Sequence, residues 1–278
     1  MVERHLDHDR YDAELRYTER IAHGATIAAD AVKEGFETVV AVGGDGSVND
    51  VANGIKGTDV KMGIIACGSG NGLAQHLGLP IRHFPKAIDV INSGKVVKID
   101  SVESNRRNFV SNAGTGADAN VARRFGHQHL RGFFSYVWAI IRQLLFEYKP
   151  SKVEFEIDDE QFNEKVYTLG IFNSMYYGYG VGPFKSTSLR DGYLDVLLMA
   201  PVKWFRLPWV AFQLLRKNAL KLKEVRYFKA EHVLIKNARK LGIQFDGDAE
   251  MISGDLDMRI EPKNLNVIIK KDTNIDEL

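Results

Sequence analysis

The sequence predicts an α/β fold in which a three-layer domain built on a parallel sheet is followed by an antiparallel β-sandwich. Two observations carry this. From about residue 18 to 100, helical and strand signals alternate in the order strand, loop, helix, twice over, which is the grammar of a parallel sheet. Beyond about residue 100 the period changes to strict alternation, as in KVEFEID at 152–158, where Val153, Phe155 and Ile157 face one way and the charges the other.

Taken in order, TERIAHGATIAADAVKEG sets Ile21, Ala25, Ala28, Ala29 and Val32 on one helical face and ends at Gly35. TVVAV follows as a strand, and VNDVANGIKG reads as the next helix. MGIIA at 62–66 is a second short strand, followed by a glycine turn and LAQHLGL. In the second half YTLGIFN, YLDVLLM, HVLIK, LGIQFD and LNVIIKK are strand candidates, interrupted by helical segments at 131–148 and 203–222. The period change divides the chain into residues 1–100 and 101–278, with the last strand a candidate to return to the first domain.

Bulk properties bound the partners. A chain of 278 residues that is 45% hydrophobic has ample core. Lys and Arg number 37 against 36 Asp and Glu, so the net charge of +1 argues against a nucleic-acid partner. Cys67 is the single cysteine, which excludes internal disulfides and favours a reducing compartment such as cytoplasm. The eight histidines show no paired ligand spacing, which argues against zinc. FFSYVWAII at 133–141 is too short to span a bilayer, so any membrane contact is peripheral.

VVAVGGDGSVNDVANGI at 39–55 ends a strand in Gly43, Gly44, Asp45 and Gly46. Glycines at the end of a parallel strand let a ligand approach the backbone, and the following helix offers N–H groups and a positive dipole end, which suits phosphate. The loop matches neither the P-loop nor the G-x-G-x-x-G pattern. Asp45 is discordant beside an anion unless a divalent cation intervenes or the acid handles a proton. A glycine-rich helix cap accounts for the same residues equally well. A second loop, GIIACGSGNGLAQHLGL, tips the balance. If its strand lies beside the first, both loops leave one carboxyl edge and form a cleft, with Ser69 and Asn71 available to phosphate or ribose. Cys67 has no nearby His partner and reads as a packing residue.

These two segments, continued by NFVSNAGTGADANVARRF, TLGIFNSMYYGYG, LRDGYLDVLLM and IQFDGDAEMI, resemble the catalytic domain of the diacylglycerol kinase and sphingosine kinase superfamily, closest to the bacterial soluble lipid kinases. GGDG is shared with NAD kinases and phosphofructokinases; the later motifs make the resemblance specific. It implies an ATP-dependent transferase acting on a hydroxyl of diacylglycerol or a related lipid, in phospholipid metabolism, with Mg²⁺. It implies nucleotide contacts at Thr18, Gly43, Gly44, Asp45, Gly46, Ser47, Val48 and Asn49, and at Gly68, Ser69, Gly70 and Asn71. A magnesium site is implied at Ser188 and Tyr193 through carbonyls and at Asp191 through its carboxylate, although Asp191-Gly192 alone would read as a hairpin turn. Asp45, Asp246 and Asp248 are jointly implied as catalytic.

Three departures are evident. Asp246-Gly247-Asp248 stands where bacterial relatives have D-G-E, His23-Gly24 reverses the usual order, and the chain begins downstream of the family's first strand and N-P-x-[SA]-G loop. The last departure keeps a nucleotide- or lipid-binding protein without turnover as an alternative, beside an NAD kinase-like enzyme. KWFRLPWVAFQLLRKNALKLKEVRYFK, at 203–229, is basic and aromatic, which suits an anionic membrane surface, while Trp204, Trp209 and Phe212 at helical spacing read equally as packing on the sheet. A homodimer is left open.

Overall fold

A computed structural model of the chain describes residues 5–127, 138, 142–143, 149–176, 182–236 and 241–278. The helix expected over 131–148 lies outside these, apart from positions 138, 142 and 143, as does the end of the TLGIFNSMYYGYG motif.

The first helix, α1, spans His23–Lys33. It starts later than the apolar pattern suggests, because Ala22 adopts left-handed φ 60 and cannot continue a helix upstream. Ile21, expected on the buried face, is consequently 96% exposed. Gly35 ends the helix as expected: at φ 86 it turns the chain so that Phe36 N–H donates to the Ala31 carbonyl at 3.0 Å. Strand β1 (Thr38–Gly43), helix α2 (Asp45–Ile55), strand β2 (Lys61–Ala66), the short helix α3 (Gly72–His76), helix α4 (Phe84–Ser93) and strand β3 (Lys95–Ser104) follow. Val48, Val51 and Ile55 of α2 pack on Met62 and Ile64 of β2, while Ile65 turns to the other face against Ile88 and Ile91 of α4. Helices on both faces of the strands make the three layers.

The second half contributes β4 (Asn112–Gly116), helix α5 (Ala117–His127), β5 (Ser151–Ile157), β6 (Glu160–Val166), β7 (Thr168–Phe172), β8 (Leu194–Met199), helix α6 (Leu207–Leu215), β9 (Val225–Ala230), β10 (His232–Lys236), β11 (Leu241–Phe245), β12 (Asp248–Ile252) and β13 (Leu256–Ile269). A six-stranded antiparallel sheet in the order β12-β11-β4-β7-β8-β9 faces part of a seven-stranded sheet in the order β1-β2-β13-β10-β5-β6, with β3 on β13. Phe155, Val233 and Met258 from one sheet meet Leu169, Val196 and Phe245 from the other in the sandwich core.

Strand β13 belongs to both halves. Its first part pairs antiparallel with β10, from His232↔Arg259 to Ile235↔Leu256, and its last part pairs parallel with β2 at Asn266↔Lys61 and Val267↔Met62. The register shifts between Glu261 and Leu265, and there Asp100 secures the irregularity, accepting Lys263 N–H at 2.7 Å and Gly192 N–H at 2.8 Å.

The segment expected as one helix at 203–222 is broken into a 3₁₀ turn (Trp204–Arg206), α6 and a second 3₁₀ turn (Ala219–Lys221). Leu207 and Val210 form its buried side, which leaves Trp204, Trp209 and Phe212 facing out rather than packing on the sheet.

Helices α1 and α2 cross closely because of Gly54, where an added Cβ would stand 2.5 Å from both the Ala25 carbonyl oxygen and the Ala28 methyl. Gly54→Ala is expected to destabilise the protein by about 1–3 kcal/mol through overpacking, despite the better helix propensity of alanine. Urea unfolding measures this; a stabilised variant would show that the helices can move apart freely.

Candidate active site

Strands β1 and β2 are parallel neighbours in register from Thr38↔Lys61 to Gly43↔Ala66, so both glycine loops leave the same carboxyl edge. The loops touch backbone to backbone. Cys67 N–H and Gly68 N–H donate to the Gly43 carbonyl at 2.9 and 3.2 Å, and a Cβ on Gly68 would collide with the Gly44 Cα. Asp45 locks them together: its carboxylate accepts Asn71 N–H at 2.7 Å and Gly72 N–H at 2.6 Å. Burial pushes the Asp45 carboxyl up and these amides oppose the shift.

The anion-facing part of the first loop is narrower than the sequence suggests. Gly44 caps α2 with no side-chain hydrogen bond, and only the Asp248 carboxylate, 3.9 Å away, bounds the space where a Cβ on Gly46 would project. Ser47 is exposed, its hydroxyl lying over Gly43. Val48 is turned into the core, and Asn49 is buried, donating to the Asn108 carbonyl at 3.1 Å. In the second loop Asn71 holds left-handed φ 58 and donates to the Gly68 carbonyl at 2.7 Å, while its buried Oδ1 has no partner. Ser69 is half-buried, and the Gly70 carbonyl accepts Gln75 Nε2 at 2.7 Å. Thr18 is exposed ahead of α1, with no recorded hydrogen bond to either loop. Cys67, partly buried, is the single free thiol. A helix N-terminus with no side-chain cap, open room beside Gly46 and the orphaned Asn71 Oδ1 are features that fit the phosphates and a polar group of a nucleotide.

The late acidic motif comes to the same place. Asp246, at φ 48, accepts Ser111 N–H and Asn112 N–H, each at 2.9 Å, and Val110 N–H at 3.3 Å. Burial nevertheless pushes its carboxyl up to about 7, with the Asp45 charge adding to the shift. Asp248 is largely exposed and is paired to Arg107 at 2.8 Å. The sequence reading missed Arg107, and also Asp50 on α2, whose carboxyl burial pushes up while Arg107 and the Gly24 amide draw it down. Arg82 is a third missed residue, with its Nε donating to the Gly68 carbonyl at 3.3 Å. Asp50 lies within the first glycine segment, whereas Arg82 and Arg107 sit outside the quoted motifs and only the fold brings them to the loops.

Ser188, Asp191 and Tyr193 form a separate turn rather than part of this cleft. Gly192, at φ 77, bends the chain into β8, and no hairpin precedes it among the described residues. Asp191 is ion-paired to Lys229 and accepts Tyr193 N–H at 3.2 Å, and the Ser188 hydroxyl accepts Arg190 N–H at 3.1 Å. Asp195 lies nearby, hydrogen-bonded by Tyr227, and burial pushes it up to about 6. An ammonium group therefore engages the Asp191 carboxylate, and a divalent cation held here would have to displace Lys229. Among the described residues no group of three or more His, Cys, Asp or Glu side chains is arranged to hold one.

His76, the last residue of α3, connects the second loop to the sandwich. It is 7% exposed, and its Nδ1 accepts Met175 N–H at 3.3 Å and lies 3.2 Å from the Ser174 hydroxyl. The neutral ring accordingly carries its proton on Nε2. Burial holds this histidine down at about 4.

Comparison with known proteins places the cleft in context. Residues 1–104 match the model of the diacylglycerol kinase catalytic domain, and residues 111–269 match the YegS C-terminal NAD kinase beta sandwich-like domain. A diacylglycerol kinase of Bacillus subtilis is 28% identical over 247 residues, covering 83% of this chain and 79% of the relative. One of Staphylococcus saprophyticus is 27% identical over 249 residues, covering 87% and 80%. A crystal structure from Bacillus anthracis superposes with a TM-score of 0.78 at 15% identity, covering 93% of this chain and 86% of that one. At that identity the likeness speaks for the fold.

The His76 environment gives a signed pH dependence. Its folded value lies below the ordinary 6.5, so the unfolded chain takes up a proton first and stability is lost as pH falls from about 6.5 to 4, by about 3 kcal/mol in all. Asp195 and Asp246, raised in the fold, act oppositely. Denaturant unfolding of the protein and of His76→Gln across that range isolates the histidine: the difference between them is expected to shrink towards pH 4, and a constant difference would contradict it.

Proposed function

Because this chain belongs to the family that joins a diacylglycerol kinase catalytic domain to a YegS C-terminal NAD kinase beta sandwich-like domain, we propose that it transfers the γ-phosphate of ATP to a hydroxyl of diacylglycerol or a related lipid. The observation that carries the reading is the meeting of two glycine loops at one carboxyl edge, with Asp248 brought beside Gly46 at the start of α2. Residues 1–100 then serve the nucleotide and residues 101–278 the lipid.

The division of labour among the acids follows from their hydrogen bonds. Asp45 and Asp246 are saturated with backbone donors and act as positioning residues: one fixes the loops against each other, the other fixes the strand that presents Asp248. Asp248 alone of the three keeps an exposed carboxylate beside the phosphate space, and it is the proton acceptor in this reading. The lipid oxygen attacks the γ-phosphorus as its proton passes to Asp248, and the bond to the bridging oxygen breaks to leave ADP. Arg107, bound to Asp248 before substrate arrives, is placed to answer the negative charge gathering on the transferred group. The backbone N–H groups of Gly44–Ser47 cradle the phosphates. Mg²⁺ bound with the nucleotide would supply further charge neutralisation, and Asp50, near Arg107 and Asp248, is a carboxylate that could help to hold it. The lipid substrate and the absence, among the described residues, of any helix long and apolar enough to cross a membrane fit a cytoplasmic protein that meets membranes peripherally.

Purified protein with labelled ATP, Mg²⁺ and micellar diacylglycerol or sphingoid base should yield labelled lipid; label on NAD, or nucleotide binding with no turnover on any acceptor, would overturn the reading. Asp248→Asn is expected to lower kcat by about 10²–10⁴ with an unchanged melting temperature, whereas Asp246→Asn should lower the melting temperature as well. Equal activity losses and equal destabilisation in both variants would remove the distinction drawn between them.

A further inference from the structure

Among the described residues, the 3₁₀ turn Trp204–Arg206 and helix α6 present a face whose aromatic side chains stay exposed. Trp204 is 81% exposed, Phe205 61%, Trp209 50% and Phe212 48%. These rings are ordered against one another rather than against the core: Trp204 meets Phe205 edge-on at 6.1 Å, and Trp209 stacks on Phe212 at 5.7 Å. Large aromatic side chains left contiguous on a surface mark a place where something docks.

Its charge selects the partner. From residue 200 to 223 the chain contains no acidic residue, and Lys203, Arg216, Lys221 and Lys223 are exposed around the aromatic face. The nearest acid, Glu224, is neutralised by Arg206 at 2.8 Å. Tryptophan and phenylalanine ringed by unopposed Lys and Arg is the composition that settles into the headgroup layer of an anionic bilayer.

The position relative to the cleft supports the same partner. Lys217, just past α6, stands 4.4 Å over the Tyr176 ring. The Tyr176 carbonyl accepts Asn112 Nδ2 at 3.2 Å and closes against Gly72, where an added Cβ would be 2.7 Å away. Asn112 and Gly72 are the residues whose amides bind Asp246 and Asp45. The aromatic face therefore ends at the wall of the cleft.

We propose that this face, with Trp204, Phe205, Trp209 and Phe212 as its apolar anchors and Lys203, Arg216, Lys221 and Lys223 as its charged rim, docks the protein on an anionic phospholipid surface. This deepens the lipid-kinase reading and rests on it for its purpose, though not for its physical basis.

Cosedimentation of the full chain with vesicles of phosphatidylglycerol and phosphatidylcholine, against phosphatidylcholine alone, tests it. The expected result is binding to the anionic vesicles that weakens with salt. Trp204→Ser with Trp209→Ser should reduce partitioning by about tenfold or more with an unchanged melting temperature. Lys221→Glu with Lys223→Glu should remove the preference for anionic lipid. No vesicle binding by the unaltered protein, or undiminished binding by the Trp variant, overturns the proposal. So does a dimer that the Trp variant converts to monomer, since the face would then join two copies. Phosphorylation of a dispersed short-chain diacylglycerol separates the two readings. If it persists while vesicle binding is absent, docking alone fails; if it is absent while vesicle binding depends on the aromatic face, the kinase reading alone fails.

Discussion

The carboxylate of Asp45 is the interaction from which the geometry of the cleft follows. Two loops containing Gly43, Gly44, Gly46, Gly68, Gly70 and Gly72 have little side-chain packing with which to hold a shape, and glycine-rich backbone is entropically expensive to order. Asp45 supplies the missing constraint by accepting one amide from Asn71 and one from Gly72. The glycines in turn make this reach possible, because a side chain at Gly68 would hold the two backbones apart. Acid and glycines are one device: the carboxylate clamps what the small residues allow to meet. In the proposed reaction the same clamp makes Asp45 a positioning residue, since each of its oxygens already accepts an amide.

A second consequence concerns the assembly of like charges. Asp45, Asp246 and Asp248 influence one another electrostatically, and Asp50 is within range of Asp248. Such a cluster holds together because each charge has its own compensation. Asp45 and Asp246 are solvated by backbone amides, and Asp248 shares Arg107 with Asp50. The arrangement leaves Arg107 as the mobile part, because an exposed ion pair holds its partners weakly compared with a carboxylate set among buried amides. In the proposed reaction an incoming phosphate would compete with Asp248 for Arg107 and free the carboxylate.

Much of this was legible in the sequence. Alternation in KVEFEID identifies β5, which buries Val153, Phe155 and Ile157 as its period suggests, while the β-branched run before Gly43 identifies β1 although that strand lies at the sheet edge with Val42 exposed. NAGTG, by contrast, forms the central strand β4 although it carries almost no side-chain signal; it is held by β11 and β7 on its two sides. The start of α1 was misplaced because a single left-handed residue, Ala22, outweighs a plausible apolar stripe. Trp204, Trp209 and Phe212 mislead for a related reason: helical spacing shows that residues share a face, and only packing shows whether that face is inside. In the cleft, the glycine loops and the D-G-D segment could be found because they are local. Arg107 acts through contacts far apart in sequence and could not, and Asp50, though inside the first motif, owes its role to that distant partner. The Asp191 turn is a further case, where the distant Lys229 pairs with the acid in a way that no local pattern announces.

Strand β13 lies between β2 and β10 and is drawn from the last part of the chain, so the N-terminal sheet is closed by residues 266–267. During synthesis the glycine loops leave the ribosome long before the strand that completes the sheet beneath them. The amino-terminal half must therefore wait, exposing the flank of β2, until nearly all of these residues have been made. The order of manufacture thus opposes the order of the layers, and the nucleotide cleft acquires its finished floor late in the birth of the molecule.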